Sequence, residues 1–122
     1  AQLRPRLEGV TPADRLRDLP SGRRVTIAGS VICRQRPGTA KGIVFISLED
    51  ETGIANSVVL PDLFERLRLV ITQEAALRIT GLLQNVANVT HVKAEKIEPL
   101  RESDLPAQAS HDSIEHMAES DA

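Results

Sequence analysis

Apolar and polar positions alternate from Val25 to Arg34. Val25, Ile27, Gly29, Val31 and Cys33 fall on one side, Thr26, Ala28, Ser30, Ile32 and Arg34 on the other. A period of two predicts a β-strand with one buried face. Gly29 would weaken a flat strand at its middle and is expected to mark the bend of a strand wrapping a closed sheet. The alternation returns from Ile43 to Glu49 and from Ile54 to Leu60. Between these runs Asp50-Glu51-Thr52-Gly53 predicts a tight turn, since Asp bonds its own backbone two residues on and Gly takes positive φ. Pro61-Asp62 then opens a helix with Leu63, Phe64, Leu67, Val70 and Ile71 in one apolar stripe, and with Asp62 and Arg66 placed to pair on the opposite face. Two more strands follow, Ala75 to Gln84 with Gly81 as a second bend, and Val89 to Ile97. A turn at Asn85 to Asn88 joins them.

Upstream, Thr11-Pro12-Ala13-Asp14 reads as a helix start with Thr11 as N-cap and Pro12 at the first helical position. Leu16 and Leu19 give that helix a thin apolar face, and Pro20-Ser21-Gly22 stops it. It is expected to lie across the strands or on a preceding domain. Residues 1–22 are therefore assigned to a linker and short helix, 23–99 to one folded domain, and 100–122 to an acidic tail too polar to bury a face. The order strand, strand, strand, helix, strand, strand predicts an all-β fold. It is that of the five-stranded Greek-key barrel of the oligonucleotide/oligosaccharide-binding (OB) fold, with the helix closing one end.

Composition changes this picture at three points. The formal net charge of −2 averages unlike parts. From Leu19 to Leu48 stand Arg23, Arg24, Arg34, Arg36 and Lys41 with no acid, whereas residues 101–122 hold six acids and one Arg. Without that tail the balance is 14 cations to 11 acids, so an anionic partner is compatible with the barrel. Cys33 is the one cysteine, which excludes an internal disulfide and a thiolate metal cluster and fits a reducing cytoplasm. Its alternation makes it a small core residue. No apolar run approaches a membrane span, and a chain opening on Ala1 is expected to be a segment of something longer.

No catalytic constellation is present. Glu49-Asp50-Glu51 could bind a metal, but a turn in which Asp50 caps its own backbone accounts for it better, and the His and Cys residues lack metal-ligand spacing. In an OB-fold, nucleic acid lies over the second and third strands, flanked by the first-to-second and fourth-to-fifth loops. The first of those loops carries Arg34, Arg36 and Lys41, which can meet phosphates. If Val44, Ile46 and Leu48 fill the barrel, Phe45 and Ser47 lie outside, and Phe45 offers a stacking platform. Asn56 is the outward partner on the third strand, and His91 and Lys93 share one face of the fifth.

The run GSVICRQRPGTAKGIVFISLEDETGIANSVVLPDLFERLRLV closely resembles the C-terminal barrel of the error-prone paralogue of the bacterial replicative DNA polymerase α subunit. The basic loop, the FISLEDETGIAN segment and the PDLFER helix start carry that likeness, which extends from about Leu3 to Ala94. More distantly, the same run is similar to the anticodon-binding barrel of class II aminoacyl-tRNA synthetases. There the corresponding Phe stacks on a base and the polar residue after the turn contacts another, roles that fall on Phe45 and Asn56. Leu60 stands where the polymerase family usually has Trp. The resemblance implies a single-stranded DNA-binding barrel in a translesion polymerase of the damage (SOS) response, with other proteins of a mutagenic complex as further partners. It implies Mg²⁺ chemistry for the parent polymerase and no cofactor for this segment. A protein-docking module and a tRNA anticodon-binding barrel are the alternatives.

Overall fold

The structure is a computed structural model that describes residues 9–100; the acidic tail and most of the N-terminal linker lie outside them. Five strands, β1 (Arg24–Gln35), β2 (Val44–Asp50), β3 (Gly53–Val59), β4 (Ala76–Val86) and β5 (Val89–Pro99), close into a barrel in the order β1-β2-β3-β5-β4. Neighbours are antiparallel except β3 and β5, which run parallel. This is the five-stranded Greek-key barrel that the element order predicts.

Closure depends on β1 serving two partners. Its first half pairs with β4 from Arg24 to Ser30, its second with β2 from Ser30 to Gln35. Gly29 sits at the crossover, where a Cβ would lie 2.3 Å from the Glu49 carbonyl oxygen. Gly81 plays the same part on β4, with a Cβ position 2.0 Å from the Lys93 carbonyl oxygen. Only residues without a side chain let the strands approach so closely.

The interior takes alternate residues of every strand, among them Ile27, Val31, Ile46, Leu48, Leu77 and Val92. Ser57 is the buried polar member of β3, and its hydroxyl donates to the Val92 carbonyl at 2.9 Å. A bulge between Val31 and Cys33 inserts Ile32 without a partner and inverts the parity of the later β1 residues. Cys33, expected in the core from uninterrupted alternation, instead pairs with Ser47 on the outer surface and is half-buried. Arg34 consequently pairs with the core residue Ile46.

The helix after β3 is interrupted. It runs as α1 (Pro61–Arg66) and α2 (Arg68–Gln73), broken at Leu67, where φ is −116 and ψ 23. The apolar stripe survives the break: Leu63, Phe64 and Ile71 are buried and Leu67 and Val70 pack against them. The expected Asp62–Arg66 pair is replaced by one across the break, Arg68 Nη2 reaching both Glu65 carboxylate oxygens at 2.8 and 2.9 Å. At the opposite end of the barrel a 3-10 helix, Ala13–Asp18, forms a plug with Ala13 and Leu16 buried. Thr11 does not cap it, because the helix begins at Ala13 and Pro12, which has no side-chain acceptor, stands at the N-cap position; the Thr11 backbone N–H donates to the Thr26 carbonyl at 2.7 Å. The cap comes from the β2–β3 turn, where Asp50 Oδ2 accepts from Ala13 N at 2.8 Å and Thr52 Oγ1 from Asp14 N at 3.1 Å.

Candidate nucleic-acid interface

Strand register arranges the outer surface of β1, β2, β3 and β5 in rows. One row runs Gln35, Phe45, Val58, Lys93, Leu82, through the pairs Gln35–Phe45, Phe45–Val58, Val58–Lys93 and Lys93–Leu82. The next runs Cys33, Ser47, Asn56 on β1 to β3. Continuing the parallel register by one residue brings Asn56 level with His91, whose partner on β4 is Gln84. Phe45 projects from this surface with 38% of its area exposed, while Val44 and Ile46 on either side are buried. The side-chain parity of β2 is therefore that predicted by its alternation.

The polar side chains of the second row are held in place. Ser47 Oγ donates to Asn56 Oδ1 at 2.8 Å, which leaves the Asn56 amide nitrogen as a donor for a ligand. His91 Nε2 lies 2.6 Å from Gln84 Oε1. Gln84 is not among the candidates read from the sequence, although a two-residue β4–β5 turn would have placed it opposite His91. That turn is built by Ala87 and Asn88, both at positive φ (53 and 66), the geometry that suits the twist of a tight hairpin.

The basic loop divides its cations between structure and surface. Arg34 Nε donates to the Ile71 carbonyl at 2.7 Å and Nη2 to the Glu74 carbonyl at 3.0 Å, satisfying the last turn of α2 where the helix dipole favours a cation. Arg36 lies with its guanidinium carbon 5.0 Å from the centroid of the buried Phe64 ring, a cation–π contact. Lys41 is exposed in a left-handed conformation (φ 54) just before β2. Lys93 thus lies within the Phe45 row, Arg36 and Lys41 stand in the loop that joins Gln35 of that row to β2, and Arg34 is turned to the end of the barrel. Asp50 works as the turn reading predicts: Oδ1 accepts from Thr52 N at 2.7 Å and Gly53 N at 3.0 Å. Both its oxygens are engaged, and among the described residues no three His, Cys, Asp or Glu side chains converge. The Mg²⁺ implied for a polymerase finds no fitting donor set here.

Residues 21–100 match the tRNA_anti-codon family model, described as an OB-fold nucleic acid binding domain. The chain belongs to that family. The domain is 50% identical over 102 residues to an error-prone DNA polymerase of Caulobacter vibrioides, covering 84% of this chain and 9% of that one. It is 47% identical over 98 residues to an error-prone DNA polymerase of Ruegeria pomeroyi, covering 80% and 9%. The OB-fold domain therefore spans less than a tenth of these two polymerases. Among solved structures, asparaginyl-tRNA synthetase of Pyrococcus horikoshii superposes with a TM-score of 0.61 at 22% identity, over 88% of this chain and 27% of that one. That likeness shows the fold. No helix of the described residues is long and apolar enough to cross a membrane.

Proposed function

We propose that this OB-fold domain holds single-stranded DNA along the β2–β3–β5 face, without sequence readout, within an error-prone DNA polymerase of DNA damage tolerance. The observation that carries the reading is the exposed Phe45, set between Val58 and Gln35 in one row and bordered by the ordered amide of Asn56 in the next. An aromatic ring in the middle of an OB-fold face stacks on any base. Arg36, Lys41 and Lys93 supply phosphate contacts, Asn56 donates one hydrogen bond, and His91 extends the polar track. Arg34 acts by fixing the base of the loop. Nucleotide transfer and its Mg²⁺ belong to other parts of the polymerase.

The test is fluorescence anisotropy of a labelled single-stranded oligonucleotide at two salt concentrations. Phe45→Ala should weaken binding by about 1–3 kcal/mol. Replacing Arg36 and Lys41 together should flatten the salt slope by about 1.4, roughly 0.7 for each phosphate no longer neutralised. An unchanged affinity in the first variant, or an unchanged slope in the second, would overturn the assignment. A second reading, docking of another protein of a mutagenic complex, is favoured by the exposed Leu60 beside the same face. A partner captured only when Leu60 is intact, with no oligonucleotide bound at low salt, would select it.

A further inference from the structure

The two outer rows that carry Phe45 and Asn56 contain no carboxylate. Lys93 lies in the first of them, and Arg36 and Lys41 stand in the adjoining loop. Two acids border the rows. Glu49 is opposite Ile54, one row beyond Asn56, and Glu95, two residues past Lys93 on β5, is engaged by Arg24 at 2.9 Å. Phe45 adds an exposed ring in the middle of the face. Three cations around an exposed aromatic ring are complementary to a segment that is acidic and apolar at once.

The chain carries such a segment itself. Ile114 and Met117 stand among Asp112, Glu115, Glu119 and Asp121, with no Lys or Arg from Glu102 to Ala122. The segment follows Leu100, which is buried beside Ala28 and Ala76 and donates its N–H to the Ala76 carbonyl at 3.0 Å. From that anchor residues 101–116 can span up to about 53 Å. That exceeds half the circumference of a compact domain whose radius of gyration is about 12 Å. Chain length therefore lets Met117 reach any part of the barrel surface.

We propose that the segment Asp112–Asp121 occupies the Phe45 face in the free domain, its carboxylates on Arg36, Lys41 and Lys93 and its Ile114 and Met117 side chains against the Phe45 ring. A nucleic-acid strand then enters only by displacing it. This competition rests on the strand-holding reading; the docking itself does not. Held on the same chain, the segment has an effective concentration of about 1 mM. With an intrinsic Kd of about 0.1 mM, ordinary for charge-driven contact without specificity, it fills about nine-tenths of the faces and weakens strand binding about tenfold.

The test uses the whole chain and two variants. One carries Asp112→Asn, Glu115→Gln, Glu119→Gln and Asp121→Asn; the other carries Ile114→Ser and Met117→Ser and keeps the parent's charge. Amide NMR spectra at low salt should differ between the parent and either variant at Phe45, Ser47, Val58, Lys93 and the Asn56 side chain, and the differences should shrink at high salt. Anisotropy with a labelled oligothymidylate should show about tenfold tighter binding by the first variant and about threefold by the second. Spectra that coincide at those positions, with oligothymidylate bound equally by all three chains, would overturn the docking while the strand-holding face stands. Tighter binding by the first variant alone, without shifts on the face, would mean bulk charge and would also overturn the docking. Shifts on the face of a chain that binds no oligothymidylate would support the docking and overturn the strand-holding reading together with the competition.

Discussion

At one end of the barrel α1 and α2 bury Leu63, Phe64 and Ile71, with one arginine bonding the α2 carbonyls. At the other, the plug buries only Ala13 and Leu16 and is fastened by side chains of three separate segments: Asp50 and Thr52 at its start, Asn85 at its finish, and Ser21 Oγ accepting from Asn85 N beyond it. A short helix with two apolar anchors gains a few kcal/mol from burial, about 1.5–3 for a leucine, which leaves little margin for its ordering entropy. Polar staples supply the difference. On this difference the apolar end is expected to unfold with the barrel and the plug to open separately.

The largest effects should separate the ends most clearly. Ile71→Ala, at a position with no exposed area, should lower the unfolding free energy by about 2–5 kcal/mol and act on the whole barrel. Leu16→Ala should cost less globally, about 1–3 kcal/mol, since the plug can detach while the strands persist. Denaturant unfolding gives the global loss, and amide exchange at Ala13 and Asp14 reports detachment. Equal global losses with those amides still protected would show that the plug is as integral as α2.

Smaller effects are expected from the polar fastenings. Arg34→Met keeps the aliphatic stem and orphans the Ile71 and Glu74 carbonyls, an expected loss of about 1–3 kcal/mol. Asp50→Ala frees Ala13 N, Thr52 N and Gly53 N together, with a loss of similar size. Their losses should add within about 0.5 kcal/mol in the double variant, because the two groups act at opposite ends and share no partner. A larger coupling in thermal unfolding would contradict the picture of two independent closures.

These closures differ in how far the sequence discloses them. The apolar end is legible as the stripe Leu63, Phe64, Leu67, Val70, Ile71, which keeps its meaning even though the helix breaks at Leu67. The Phe45 parity is legible because β2 alternates without interruption. The plug end is not, because its cap is supplied from 37 residues away and the helix starts one residue later than Thr11-Pro12 suggests. Cys33 and Arg34 depart from their expected faces for one reason. A bulge adds a single residue, Ile32, and inverts every later position of the strand, yet nothing local in ICRQ distinguishes it from regular strand. Local alternation therefore carries strand existence and facing, while irregularities that re-aim a few side chains are decided by tertiary pairing.

The smallest expected effect belongs to the outermost polar contact of the plug end. Arg24 Nε lies 2.9 Å from Glu95 Oε1, and Glu95 is the residue that the β4–β5 register skips between Lys96 and Ala94. The hydrogen bond and charge of Arg24, with Lys93 nearby, hold the Glu95 carboxyl below its ordinary value of 4.5, and Arg24 is raised in return, far above any working pH. A carboxyl lowered in the folded state contributes fully above its unfolded value and loses that contribution as the pH falls through the lowered one. Both groups face solvent, so the contribution is small and screened by salt. Glu95→Gln should lower Tm slightly at neutral pH and low salt, with the difference vanishing at high salt and as the pH falls through the lowered Glu95 value. A difference that survives acid and salt would assign Glu95 to shaping the bulge rather than to the ion pair. The plug end would then be closed by backbone geometry as well as by polar staples.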